Sequence, residues 1–144
     1  MEVEKFFSAG YTGSKRFGQL DVPNANATGF GAAADDYMER GIDLNEQLIK
    51  NKPATFFMRV SGNSMVGAGI HHGDIVIVDR SVRPVTGKVV IAVVNGEMLI
   101  RRLEQSFNRM RLIPETPKLA PIEVTEFSEV SIWGVVVYTI HAMA

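Results

Sequence analysis

"KVVIAVVNGEMLIRRL", Lys88 through Leu103, decides the fold. Two runs dense in β-branched and aliphatic residues flank Asn95-Gly96. Asn-Gly between such runs is the strongest short-range hairpin signal, because both central residues of the two-residue turn need positive φ. Residues 88–94 and 97–103 are therefore expected to be antiparallel partners. Working outward, "ATFFMRV" (54–60), "DIVIVD" (74–79), "RMRLIP" (109–114) and "EVSIWGVVVYTI" (129–140) have the same composition, with Gly, Asn, Asp and Pro between them. Many short strands joined by close turns predict a mainly β, compact antiparallel fold. One short helix is expected in "DLNEQLIK" (43–50), with Asp43 as N-cap, Glu46 three residues on, and Pro53 as the stop.

The chain has 144 residues, 46% hydrophobic and 22% charged, which fits one globular domain with a real core and a loose tail. Residues 1–28 are rich in Gly, Ser, Asn and Thr and read as an arm without fixed structure; the alternative is an edge strand. Residues 29–144 then make the β-rich domain. A net charge of −1 supplies no global field toward nucleic acid or acidic membrane. The absence of cysteine excludes disulfides, thiolate catalysis and zinc–sulfur sites. "MEVEKFFSAG" lacks a signal-peptide apolar run, and "VVIAVV" (89–94) is far short of the roughly 20 residues that span a bilayer, so a cytoplasmic protein without membrane contact is expected.

Chemistry enters at "RVSGNSMVGAGIHHGDIVIVD" (59–79), where Ser64 sits between two glycine-containing turns. A serine hydroxyl is a poor nucleophile until a neighbouring base takes its proton. Three histidines are available, but His71 and His72, paired in a turn, read first as solvated, and His141 closes the last strand. No Asp stands at a spacing that identifies an orienting partner. Asp74 and Asp79 read as turn and strand-end residues rather than metal ligands, and no metal or cofactor is expected. The other known base is a lysine desolvated until its neutral form is populated.

"SGNSM", then "GDIVIVD", then a hairpin ending "GEMLIRRLE" resembles the LexA-type self-cleaving serine peptidases, which use a Ser–Lys dyad. Within them the sequence is most similar to the UmuD-like branch, accessory subunits of SOS mutagenesis polymerases. The resemblance runs from about Thr28 to Ala144 and includes "TGF...AADDYMERGIDLN". It implies strongly bent antiparallel sheets, with Ser64 as nucleophile and the backbone N–H groups of Ser64 and Met65 as the oxyanion hole. Thr28-Gly29 takes the place of the scissile bond. The implied partners are a second copy of the chain, a RecA filament on single-stranded DNA that favours arm docking, and an error-prone UmuC-type DNA polymerase.

The family's catalytic lysine falls on Arg101, and this is a departure. Successive strand residues point to opposite faces, so Arg101 and Arg102 cannot both aim at Ser64. Arginine ionises at about 12.5–13.8, so neutralising it at pH 7 costs roughly 8 kcal/mol. Lys88 falls opposite position 103 and does not substitute. Cleavage is therefore expected to be impaired. The chain is either a form with its base replaced so as to hold the arm uncleaved, or a member whose cleavage is reduced or lost.

Three rivals follow. A non-catalytic regulatory dimer of the same fold draws its support from Arg101. A LexA-type repressor needs a helix-turn-helix module that 28 residues without helical period do not supply. A signal peptidase needs a membrane anchor. "RRLEQSFNRMR" (101–111) reads as a solvated rim with little or no direct nucleic-acid binding, and Trp133 as a core or dimer contact. The long apolar last strand, left as a bare edge, is expected to pair with another subunit.

Overall fold

A computed structural model describes residues 2–8, 41 and 43–144. The Thr28-Gly29 bond and most of the expected arm lie outside the described residues. The chain forms two compact units, one of residues 1–10 with 51–144 and one of residues 11–50.

In the smaller unit, helix α1 (Leu44–Leu48) is capped by Asp43, whose Oδ1 accepts from the N–H groups of Asn45 (3.0 Å) and Glu46 (3.3 Å). The larger unit is an eight-stranded sheet: β1 (Val3–Ser8), β2 (Thr55–Val60), β3 (Ile75–Asp79), β4 (Val89–Val94), β5 (Glu97–Ser106), β6 (Arg109–Ile113), β7 (Ile122–Val124) and β8 (Val130–Ile140). Every pairing is antiparallel, in the order β1-β2-β3-β8-β4-β5-β6-β7. The Asn95-Gly96 hairpin forms as expected, with φ of 49° and 86° at its two central residues.

Two findings differ from the sequence expectation. Val3–Ser8, read above as part of the arm with an edge strand as the alternative, is an edge strand that pairs with β2 from Val3↔Val60 to Ser8↔Phe56. The last strand, expected as a bare edge, instead runs through the interior of the sheet between β3 and β4. Its apolar length reflects two covered flanks, so it supplies no edge for a second subunit. Among the described residues the edges of the sheet are β1 and the three-residue β7.

β8 skips a residue against each neighbour: Val137 between its pairings with Ile77 and Val78, and Trp133 between its pairings with Ile91 and Ala92. Such bulges bend a strand and let the sheet curl. The curl buries both faces at the centre. Ile91 on β4 joins Val3, Met58, Val60, Val76, Val78 and Ile100 in one core, while its neighbours Val90 and Ala92 join Leu103, Leu112 and Val135 in another. Met65 and Ile70, from the loop after β2, complete the first core. The loop that carries Ser64 is thus anchored by its own apolar side chains.

Candidate active site

Ser64 lies four residues beyond the end of β2, on a loop that turns at Gly62 (φ 100°). Its carbonyl accepts from Glu115 N–H (2.8 Å), and Glu115 in turn accepts from Gly67 N–H (2.8 Å). The approach is so close that a Cβ on Gly67 would stand 2.7 Å from the Glu115 carbonyl oxygen. Gly62 N–H donates to His72 Nδ1 at 2.9 Å. These contacts fix a side chain that is only 4% exposed. Among the described residues, the N–H groups of Ser64 and Met65 donate to no protein acceptor.

The Ser64 hydroxyl donates to Glu2 Oε1 at 3.2 Å. The same oxygen accepts the Ile100 N–H (3.2 Å) and pairs with Arg101 Nη1. Arg101 Nη1 also donates to the Ile100 carbonyl (2.8 Å), and the residue is 5% exposed. Arg101 Nε is buried with no acceptor among the described residues. So Ser64 and Arg101, 37 positions apart in the chain, meet on one carboxylate oxygen.

Glu2 reaches this place because β1 pairs with β2 up to its last residue, Val3 against Val60. The residue before β1 therefore lies just beyond the end of β2, where Ser61 N–H donates to its carbonyl (2.6 Å), while its own N–H crosses to Met98 O (3.1 Å) on β5. Sequence reasoning missed Glu2 because its role depends on strand order.

Arg102 faces the other way. Its Nε donates to Glu115 Oε1 (2.5 Å) and its Nη1 to the Gly87 carbonyl (2.7 Å). It braces the Ser64 loop through Glu115 rather than meeting the hydroxyl. Lys88 lies opposite Leu103, whose N–H donates to its carbonyl (2.9 Å).

No histidine contacts Ser64 among the described residues. His71 and His72 are nonetheless more than solvated turn residues: His72 holds Gly62, and His71 gathers with Asp74 and His141. Asp79 has the strand-end role expected of it, accepting from Ser81 N–H at 2.8 Å. Arg109 and Arg111 on the rim face Glu123 and Glu104. Trp133 packs against the first core, edge-on to Phe56 with ring centroids 4.9 Å apart, and Arg80 lies over its face at 4.4 Å.

The sheet, the loop and the buried serine can be set beside known proteins. The Peptidase S24-like family model matches residues 22–137. The chain belongs to that family. It is similar to Protein ImpA of Salmonella typhimurium, 40% identical over 119 residues that cover 78% of this chain and 77% of that protein. Protein SamA of Salmonella typhimurium is 39% identical over 113 residues, 78% of each chain. LexA repressor 1 of Xanthomonas campestris is 38% identical over 116 residues, 81% of this chain but 57% of the repressor. Membership in this peptidase family supports a Ser–Lys autoprotease type for the chain. Among the described residues, no helix is long and apolar enough to cross a membrane.

Proposed function

We propose that this is a UmuD-like SOS protein in which Ser64 attacks the Thr28 carbonyl of its own N-terminal arm. The observation that carries the reading is the Ser64 hydroxyl, buried on a braced loop and joined through Glu2 to the residue at the family's base position. In the reaction, Ser64 Oγ bonds to the Thr28 carbonyl carbon while its proton leaves to a base. The Ser64 and Met65 N–H groups hold the oxyanion, the Gly29 amine departs carrying a proton, and water hydrolyses the ester.

Neither group now beside the hydroxyl serves as that base. A guanidinium stays protonated in proteins. Glu2 Oε1 is held by the Ile100 N–H and Arg101 Nη1 as well as by the hydroxyl, and a carboxylate is a weak base for a hydroxyl proton. The arrangement is a latched one: release of Glu2 frees the hydroxyl but leaves only the protonated Arg101 near it, so the unaltered chain cleaves slowly, with solvent hydroxide taking the Ser64 proton. A RecA filament on single-stranded DNA is the natural trigger, and the shortened homodimer then serves a UmuC-type translesion polymerase. The second reading, a non-catalytic regulatory dimer, is favoured by the Arg101–Glu2 pair itself.

The test is intact mass after long incubation at neutral and alkaline pH, with and without RecA filaments, for the unaltered chain and Ser64→Ala. Fragments 1–28 and 29–144 from the unaltered chain alone support self-cleavage. Intact chain in every arm leaves the regulatory dimer. Cleavage at the same bond in Ser64→Ala removes Ser64 from the mechanism.

A further inference from the structure

Away from Ser64, three side chains far apart in sequence converge at one corner of the sheet. His71 and Asp74 belong to the turn before β3, and His141 follows the end of β8. Their ligand atoms all lie within 4.8 Å of one another. His141 Nδ1 is 2.5 Å from Asp74 Oδ1, and His71 Nδ1 is 3.8 Å from Asp74 Oδ2. The two imidazoles lie against each other, with centroids 4.8 Å apart. Asp74 is 2% exposed, and its Oδ2 is fixed by the His71 N–H at 2.8 Å.

One atom in this group lacks a partner. His71 Nδ1 is buried and bonds to nothing among the described residues, although its ring is otherwise half open to solvent. A buried ring nitrogen without a partner is costly, and this one faces a carboxylate too distant to satisfy it.

We propose that His71, Asp74 and His141 bind a zinc-class divalent cation through the two Nδ1 atoms and an Asp74 oxygen. Two imidazoles and a carboxylate are a donor set that suits zinc, with a fourth position left for water. Metal–ligand bonds of about 2.0–2.2 Å need donor separations of roughly 3.3 Å in a tetrahedron. The 3.8 Å from His71 to Asp74 Oδ2 and the 2.5 Å from His141 to Asp74 Oδ1 lie on either side of that value, and two half-exposed rings can turn toward an ion on one of those oxygens. The cation takes the place of the hydrogen between His141 and Asp74, the neutral His141 ring then carrying its proton on Nε2, and it gives His71 Nδ1 its missing partner. Bound there, it fastens the β2–β3 turn to the end of β8. His72 serves as an internal control, since its Nδ1 is engaged with Gly62 instead.

The experiment is calorimetric titration of the full chain with zinc chloride, repeated on His71→Ala, His141→Ala and His72→Ala. The unaltered chain should take up one zinc per chain, with a rise in thermal midpoint as zinc is added. His71→Ala and His141→Ala should each weaken binding at least tenfold and lose the thermal rise, whereas His72→Ala should keep both. Both removed positions carry half-exposed rings, and circular dichroism of each variant checks that the fold is intact. Absence of saturable one-to-one binding, or equal affinity in all four proteins, overturns the site. Loss only in His72→Ala places the ion elsewhere and overturns it too. None of these readouts depends on whether the chain cleaves itself.

Discussion

The Arg101 guanidinium and the Glu2 carboxylate form an ion pair beneath the surface, with side chains 7% and 22% exposed. A charge so buried is tolerated only with a partner, and removing one member leaves the other uncompensated. Glu2→Gln should therefore destabilise the fold by about 1–3 kcal/mol. Arg101→Met alone should cost a comparable amount, by stranding Glu2. The double variant should cost less than the sum, because neither charge is then left buried without its counter-charge. Urea unfolding of the four proteins measures this. Strict additivity would mean that the pair does not form in solution.

The same carboxylate governs what a restored lysine can do. If position 101 is the base position, as proposed, Arg101→Lys puts a lysine base near Ser64, yet an adjacent Glu2 favours its charged form by about 1–3 pH units. Arg101→Lys alone should cleave slowly at pH 7. Adding Glu2→Gln should speed fragment formation by roughly 10- to 1000-fold, since each pH unit is tenfold in neutral amine. Arg102→Lys should rescue neither background, because Arg102 points to Glu115. Equal rates for Arg101→Lys with and without Glu2→Gln would remove the latch.

The loop that holds Ser64 rests on Gly67. A methyl group there meets the Glu115 carbonyl oxygen, a backbone atom that cannot step aside without moving the segment hydrogen-bonded to Ser64. Gly67→Ala should lower stability by about 1–3 kcal/mol, the usual cost of overpacking. It should also reduce any Ser64-dependent cleavage by more than stability explains, as read from fragment yield under conditions where the variant remains folded.

Local chemistry was legible in the sequence. Asn95-Gly96, the Asp43 cap and the glycines around Ser64 are short-range features, and the structure forms each of them as a local event. Strand order was not legible. Nothing in "SIWGVVVYTI" distinguishes an apolar edge awaiting a partner from a central strand already covered on both flanks. β1 was hidden because its strand formers, Val3, Phe6 and Phe7, are followed directly by a Gly- and Ser-rich run. The valine and paired phenylalanines were the available signal. Once β1 was folded into the arm, Glu2 could not be seen beside Ser64, nor Asp74 beside His141, because both meetings depend on which strands become neighbours.

Asp74 should write its position into the acid stability of the chain. Burial pushes its carboxyl up, but the His71 backbone N–H and the His141 ring outweigh that and hold it below the ordinary value of 3.8. A carboxyl lower in the native than in the unfolded chain binds its proton first in the unfolded chain, so acid favours unfolding. Its contribution is complete above about pH 4 and is lost as pH falls through the lower native value. Asp74→Asn keeps the shape but gives up the charge that the two neighbours face, and should cost about 1–3 kcal/mol near pH 7. The gap between the two proteins should then narrow progressively as pH drops below 3.8. Urea midpoints measured from about pH 2.5 to 7 test this. A gap that stays constant, or widens in acid, would show that Asp74 is not held ionised by His71 and His141.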